Sequence, residues 1–354
     1  MIEVNEVLIC NENIYNNKVL NENPISFIFK PYVPEIFKVL ELKSYRKEVS
    51  ETNHRIPDFI IIGAPKSGTT ALWHFLNQHW GIYMSPNKEP RFFTRLKGDM
   101  ETTIKGDGPR LSGNYDKGLQ WYGSLFEQAH AGQKTGEASS VYFCNEDSPQ
   151  LIFDHNPCIK LILMLRHPVT RLYSHYWQEH KLGFNFPSFE QMVQENHPRL
   201  RYYKRVSHYR THLTRWFKFF SREQLRIVIQ EEFESDPVTH FEKILEFLDS
   251  EQVDVNLDKR YNEQVTPKNR KLALMLRLMK LIKVQGFIPN SVLDPLNKIR
   301  KKLVRANATP FAYPQMSTDL FNLFLEEYEE DMQFVEAVLD RQVTSWNTIP
   351  VAIK

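Results

Sequence analysis

Lys66, Ser67, Gly68, Thr69 and Thr70 crowd anion-binding residue types into one short stretch, "GAPKSGTTAL" (Gly63–Leu72), directly after the apolar run "FIII". The spacing almost matches the triphosphate loop G-x-x-x-x-G-K-[ST], with Gly63 and Gly68 at its two glycine positions. Thr69, however, stands where that loop has its lysine, and the lysine lies forward at Lys66. A strand that turns directly into a helix aims several backbone N–H groups at one point, where the helix dipole also favours negative charge. The glycines would let the backbone approach an anion closely, and the threonine hydroxyls add donors. The stretch reads as a cradle for the 5′ end of a nucleotide, built differently from a triphosphate site.

A second cation supports that reading. A triphosphate loop holds Mg²⁺ through its Ser/Thr and an acidic residue at a neighbouring strand end. The candidate strand here, "IKLILML" (Ile159–Leu165), ends instead in Arg166, His167 and Pro168. Lys66 and Arg166 are expected at the carboxyl edge of one sheet, where open α/β sheets bind ligands. That pair suits a nucleotide with phosphate at two places and no bridging metal. Ser174, eight residues after Arg166, falls about two turns along the next helix, placed to clamp one phosphate from the other side. Glu89, in "NKEPRFF", lies between Lys88 and Arg91, which would hold it ionised. A carboxylate so placed can take a proton from a hydroxyl, although on residue type alone it reads as a surface glutamate in a charged turn. His208 and His212 are four apart, but no glutamate of an H-E-x-x-H motif and no third ligand accompanies them, so no metal site is expected. His74, His155 and His167 lie near strand ends without the context of a base.

The elements that must hold these residues follow from hydrophobic pattern. "DFIIIG" (Asp58–Gly63) is a continuous apolar run closed by Pro57 and Gly63, the pattern of a strand buried on both faces. "IKLILML" and "LRIVIQ" (Leu225–Gln230) repeat it, and "GIYM" and "KTGEAS" are shorter strand candidates. Helical patterns separate them: "TTALWHFLNQH", "PVTRLYSHYWQEHKLG" with Pro168 in its first turn and Gly183 as its stop, and "DPVTHFEKILEFLD" with Pro237 near its start. Strands alternating with helices predict an α/β fold, a P-loop-like three-layer architecture with a central parallel β-sheet flanked by helices. Residues 1–55, rich in Asn and Glu, read as an N-terminal extension docked on the core, and 56–354 as a single domain.

Bulk properties exclude several classes. With 354 residues, 25% charged and a net charge of +2, the chain lacks the basic signature of a nucleic-acid binder. Its 42% hydrophobic content suits a packed globule. Three cysteines, Cys10, Cys144 and Cys158, form no C-x-x-C pair, and an odd count argues against a disulfide framework. No secretory signal and no run of about 18 apolar residues is visible, so no stable membrane insertion and a cytoplasmic location are expected. "KLALMLRLMKLIKVQGF" (Lys271–Phe287) and "IRKKLVR" (Ile299–Arg305) read as helices with solvated basic faces.

"PKSGTT" together with "RHPVTRLYSHY" resembles the two cofactor motifs of sulfotransferases that use 3′-phosphoadenosine 5′-phosphosulfate (PAPS) and release adenosine 3′,5′-bisphosphate (PAP). The likeness runs on through "KEPRFF", "KGLQWYGSLF", "TGEASSVYF" and "YRTHLTRWFKFFSREQLRIVIQEEFESDP", and is similar to the heparan sulfate 3-O- and N-sulfotransferase domains and their bacterial relatives. It covers about residues 56 to 270, and "RQVTSW" resembles the usual family terminus. The resemblance implies that Lys66 meets the bridging oxygen between phosphate and sulfate, and that Ser67, Gly68, Thr69 and Thr70 cradle the 5′-phosphosulfate. It implies that Arg166 and Ser174 bind the 3′-phosphate, with Lys268 and Arg270 in a basic loop closing over it. It puts Glu89 at the catalytic-base position of the glycan-modifying members. The acceptor it implies is a small molecule or glycan, in the setting of a bacterial cytoplasmic enzyme tailoring a natural product, with no metal needed. Two other readings stay open: a P-loop kinase or NTPase, opposed by Thr69 and Arg166, and a binding protein that kept the nucleotide fold without catalysis. Trp121 and Tyr122 could line the acceptor cleft or fill the core.

Overall fold

The apolar runs become five parallel strands. The computed structural model describes residues 56–95, 113–181, 187–258, 265–269, isolated positions between 271 and 307, 308–311 and 313–347. The strands are β1 (Phe59–Gly63), β2 (Ile82–Met84), β3 (Lys134–Ala138), β4 (Lys160–Leu165) and β5 (Leu225–Ile229), ordered β2-β3-β1-β4-β5. Phe59 pairs with Gly136 on one side and Lys160 on the other, and Leu161 pairs with Leu225.

Alternation along each strand shows why the runs had to be continuous. Ile60 and Ile62 of β1 join Leu161, Leu163, Ile227 and Ile229 in one core layer. Phe59 and Ile61 join Ile162, Met164 and Val228 in the opposite layer. Both faces of the sheet are thus apolar, and helices cover both.

Among the described residues the helices with full bounds are, in chain order, α1 (Thr69–Leu76), α2 (Gly118–Ser124), α3 (Ser148–His155), α4 (Pro168–Lys181), α5 (Phe189–Gln194), α6 (Pro198–Ser207), α7 (Tyr209–Trp216), α8 (Gln230–Ser235), α9 (Pro237–Phe247), α10 (Thr318–Glu327) and α11 (Glu329–Leu339). A short 3₁₀ turn, Ser140–Cys144, follows β3. Local chemistry marks several starts: Asp236 accepts from the Thr239 amide ahead of Pro237, and Ser188 and Gln191 form a capping box at α5. α4, α5, α6 and α10 bury a third cluster that includes Tyr173, Phe189, Tyr203 and Phe324. A two-stranded antiparallel ribbon, β6 (Val265–Pro267) with β7 (Ala308–Pro310), precedes α10.

β1 is followed by a connection toward β2 and β3, and β4 by one toward β5 on the other side. The adjacent carboxyl ends of β1 and β4 therefore flank the topological switch point, where such sheets form a ligand crevice. Residues 1–55, Gly183, Arg270 and most of 271–305, on which several sequence expectations fall, lie outside the described residues. Among the described residues no helix is long and apolar enough to cross a membrane.

Candidate active site

The loop from Ala64 to Gly68 leaves β1 at the switch point. The Ala64 amide donates to the Met164 carbonyl at 2.7 Å, which ties the loop's first residue to β4. Gly68 caps α1 with φ of +85°, a conformation that glycine enters without steric cost. Lys66 also has positive φ, 72°. Ser67 is fully buried, and its Oγ has no hydrogen-bond partner among the described residues. A buried hydroxyl without a partner is costly unless a ligand satisfies it. Here it stands in the loop that opens α1, with the first helical amides close behind. The residues present fit a phosphate.

Gly63 has a different task from the one expected of it. A Cβ there would lie 2.5 Å from Phe143 Cβ and 3.0 Å from the Ser140 carbonyl oxygen. The glycine makes room for the 3₁₀ turn after β3, not for an anion, so the near-match to a triphosphate loop is in part a packing requirement.

Arg166 leaves β4 on the other side of the crevice, and its Nε donates to Thr170 Oγ1 at 3.0 Å. Ser174 is nearly buried on α4. Tyr313 joins these two: its hydroxyl hydrogen-bonds Ser174 and feels the charge of Arg166, while burial holds its ionisation above the ordinary tyrosine value. Phe311 and Tyr313 lie against Trp177 of α4, which docks the end of the β6–β7 ribbon on the helix that carries Ser174. Lys268, exposed, follows β6 on that ribbon, and its amide donates to the Asn307 carbonyl. Arg270 lies outside the described residues. Tyr313 was not singled out from the sequence, because its place depends on chain pairing 45 residues downstream of Lys268.

Arg171 was passed over as well. It is wholly buried in α4, where Nε donates to Ser207 Oγ at 2.6 Å, Nη2 to the Tyr203 carbonyl, and Nη1 meets His175 Nδ1 at 3.2 Å and the Pro65 carbonyl at 3.5 Å. These hydrogen-bond partners are all neutral. A cation held beneath the loop in a low-dielectric setting adds positive potential where an anion would sit. Burial lowers its proton affinity, and burial together with Arg171 and Lys66 pushes His175 well below the ordinary histidine range.

On the β3 side, Glu89 follows β2 in a loop pinned to the sheet. Its amide donates to the Ala138 carbonyl at 2.8 Å. Its Oε1 accepts from the Ser140 amide at 3.2 Å, Ser140 Oγ at 2.6 Å and Lys88 Nζ at 3.3 Å. Its Oε2 has no hydrogen-bond partner among the described residues and lies 3.6 Å from Arg91 Nε. Glu89 and Arg91 have φ of 62° and 52°. Among the described residues three other non-glycine residues have positive φ, Asn196, Asp249 and Asp340. Each of those follows the end of a helix, where left-handed residues are routine. Lys66, Glu89 and Arg91 have no such reason, and all three stand at the carboxyl edge of the sheet. Backbone strain that secondary structure does not explain collects at functional sites.

Beneath this loop lies a carboxylate that the sequence did not single out. Glu137 is completely buried on β3 and accepts from Tyr122 Oη at 3.0 Å, Tyr142 Oη at 2.8 Å and Ser139 Oγ at 2.8 Å. Burial pushes its carboxyl up to about 7, with the three hydroxyl donors pulling the other way. Tyr122 is therefore a core residue with its hydroxyl committed to Glu137. Trp121 is only partly buried and carries Lys117 Nζ 4.4 Å above its ring.

The remaining histidines take structural places. His208 interrupts α6 and α7, with Nδ1 3.0 Å from Asp331 Oδ2. His212 is buried in α7, meets the Arg205 carbonyl at 2.9 Å and is pushed down to about 4 by burial. The interruption of the helix at His208 keeps the two from sharing a helix face. His155 packs edge-on to Phe93, and burial with the Arg166 charge brings His167 down to about 4.

Comparison with known proteins gives a consistent result. The family model described as "Sulfotransferase domain" matches residues 56–288. Heparan sulfate glucosamine 3-O-sulfotransferase 3A1 of Homo sapiens is 31% identical over 205 residues, which is 56% of this chain and 46% of that protein. Heparan sulfate glucosamine 3-O-sulfotransferase 6 of Mus musculus is 30% identical over 203 residues, 56% of this chain and 54% of that protein. The chain spans about half the length of the curated relatives it matches. A solved sulfotransferase from Alicyclobacillus acidocaldarius superposes with a TM-score of 0.56 at 24% identity, covering 83% of this chain and 100% of that one, a likeness of fold.

Proposed function

Because the chain belongs to the sulfotransferase domain family, we propose that it transfers a sulfuryl group from PAPS to a hydroxyl or amine of a carbohydrate or small natural-product acceptor. The observation that carries the donor half is the buried Ser67 Oγ, unpartnered among the described residues, beside Lys66 in a loop that leaves β1 next to the β4 end carrying Arg166. A triphosphate-Mg²⁺ site needs an acidic group at the neighbouring strand end, and that end carries a guanidinium.

In this reading Ser67, Gly68, Thr69 and Thr70 hold the 5′-phosphosulfate, and Arg166 and Ser174 hold the 3′-phosphate with Lys268 and Arg270 closing over it. Glu89 Oε2 accepts the acceptor's proton as its oxygen or nitrogen forms the new bond to sulfur. The bond from sulfur to the phosphate oxygen breaks in line, and PAP leaves with that oxygen's charge held by Lys66 and the loop amides. Preorganised donors of this kind act on charge that develops only in the transition state. Arg91, 3.6 Å from the same Oε2, has to give way as the acceptor enters. The relatives' activity, 3-O-sulfation of heparan sulfate glucosamine, makes a glucosamine-containing glycan the first acceptor class to try.

The test has two parts. PAP without metal should raise the melting temperature and ATP with Mg²⁺ should not; the reverse order would overturn the donor assignment. Radiolabelled PAPS should then pass sulfate to heparan sulfate or to a phenolic or aminoglycan panel, and Glu89→Gln should abolish transfer while leaving PAP affinity intact. Undiminished transfer by Glu89→Gln would remove it as the base.

A further inference from the structure

Glu137 is buried, ionisable and unused by the mechanism above. Its three hydroxyl donors each do a second task. Ser139 Oγ, while donating to Glu137 Oε2, accepts from the Arg91 amide at 2.9 Å. Tyr142 Oη, while donating to Glu137 Oε1, accepts from the Phe93 amide at 3.1 Å. Tyr122 Oη fills the remaining place on Oε1, and its ring stacks on Phe92 with centroids 4.3 Å apart and planes 10° apart. Phe93 packs edge-on against Tyr122 and Tyr142. Every contact made by this carboxylate therefore leads to the segment Arg91–Phe93, next to Glu89.

The direction of the hydrogen bonds matters. A hydroxyl has one proton and two lone pairs. Only an acceptor-only group at the centre draws the protons of Ser139 and Tyr142 inward and leaves their lone pairs facing the two amides. A protonated acid or an amide at position 137 would place a donor among donors, and at least one hydroxyl would have to turn. The other anchors of this loop run elsewhere: the Glu89 amide to Ala138, and the Pro90 and Arg91 carbonyls to Asn114.

We propose that Glu137 is a positioning residue that, through Ser139 and Tyr142, fixes the left-handed Glu89–Arg91 turn and so aims the Glu89 carboxylate. The link to transfer rests on the reading of Glu89 as the base; the link to the turn does not.

Residue-resolved amide exchange on the full chain separates the two. Glu137→Gln is expected to speed exchange at Arg91, at Phe93 or at both, according to which hydroxyl turns, by about tenfold or more, the loss of one hydrogen bond's protection. Ser139→Ala should speed Arg91 alone, and Tyr142→Phe should speed Phe93 alone. The Ala64 and Ala71 amides of the phosphate loop and its helix should stay unchanged, and so should PAP affinity by calorimetry. In transfer to heparan sulfate, Glu137→Gln should lower kcat about tenfold with KM for PAPS unchanged. Unaltered exchange at both amides in Glu137→Gln would overturn the proposal, as would uniform acceleration across β3 and both loops, the sign of a merely structural carboxylate. A wild-type enzyme inactive on heparan sulfate would bear on the acceptor alone, and the amide pattern would still decide.

Discussion

Lys66 sits in a backbone region where a Cβ is crowded, with φ of 72°. Two substitutions there separate backbone from charge. Lys66→Gly relieves the strain and Lys66→Ala keeps it, yet both remove the ammonium. Both are expected to lower kcat by about 100-fold or more, the usual effect of losing a donor to a leaving oxygen, in transfer assays with saturating PAPS. A glycine variant with wild-type turnover would assign the position to loop geometry alone. Glu137 makes a pH prediction at the same scale. Its carboxyl rises from an ordinary 4.5 to about 7 in the fold, so the native state binds more protons than the unfolded chain between those values. Its contribution to stability is present in full below about 4.5 and is lost as pH rises through 7. Thermal unfolding from pH 5 to 8 should therefore show a downward slope that Glu137→Gln flattens. The relay has the opposite dependence: protonation weakens it, so exchange at Arg91, Phe93 or both, corrected for intrinsic rate, should become relatively faster as pH falls below 7. Tyr122, Tyr142 and Glu89 face Glu137, and the tyrosines stay protonated across this range because burial raises both.

At the scale of elements, the two glycines of the loop predict opposite failures. Gly63→Ala drives a Cβ to 2.5 Å from Phe143 Cβ, so it should lower stability by about 3 kcal/mol or more in chemical denaturation. Gly68→Ala meets the flexible Met164 Cε at 3.2 Å and the Gln230 side chain at ordinary contact distance, 3.7 Å, but must hold φ of +85°; it should cost about 1–2 kcal/mol and weaken PAP binding, which calorimetry measures. From sequence the two were indistinguishable, because the spacing of glycines does not reveal what each one approaches. The strands were plain from continuous apolar runs, since a doubly buried strand leaves no polar alternation, and Pro168 and Pro237 marked helix starts. Glu137 was hidden for the same kind of reason that Gly63 was. In "KTGEAS" a glutamate reads as the solvent face of a short strand, and only tyrosines brought from α2 and the turn after β3 make that position an interior one. The break at His208 was also invisible, because "RVSHYRTHLTRW" has no glycine or proline to interrupt its helical pattern.

At the scale of the whole molecule, the carboxyl-terminal segment closes the β4–β5 side. Glu231 Oε1 accepts from the His167 amide at 2.9 Å, and its Oε2 accepts from Trp346 Nε1 at 3.2 Å. Trp346 is buried against Tyr209, whose hydroxyl donates to the Arg166 carbonyl at 2.7 Å. Trp346→Ala should thus lower stability by about 3–5 kcal/mol and loosen the strand end that carries Arg166, read as a weaker response to PAP. In the unmodified chain, PAP at a hundredfold excess over its Kd should raise the melting temperature by about 3–4 °C.

Ser140 touches both halves of the crevice. Its carbonyl abuts Gly63 at the root of the phosphate loop, while its amide and hydroxyl hold Glu89 Oε1. A single residue thereby sets the spacing between the root of the Ala64–Gly68 loop, proposed to hold the donor, and the Glu89 carboxylate, proposed to receive the acceptor's proton, so Ser140→Gly should disturb both ends at once, read as weaker PAP binding together with slower transfer.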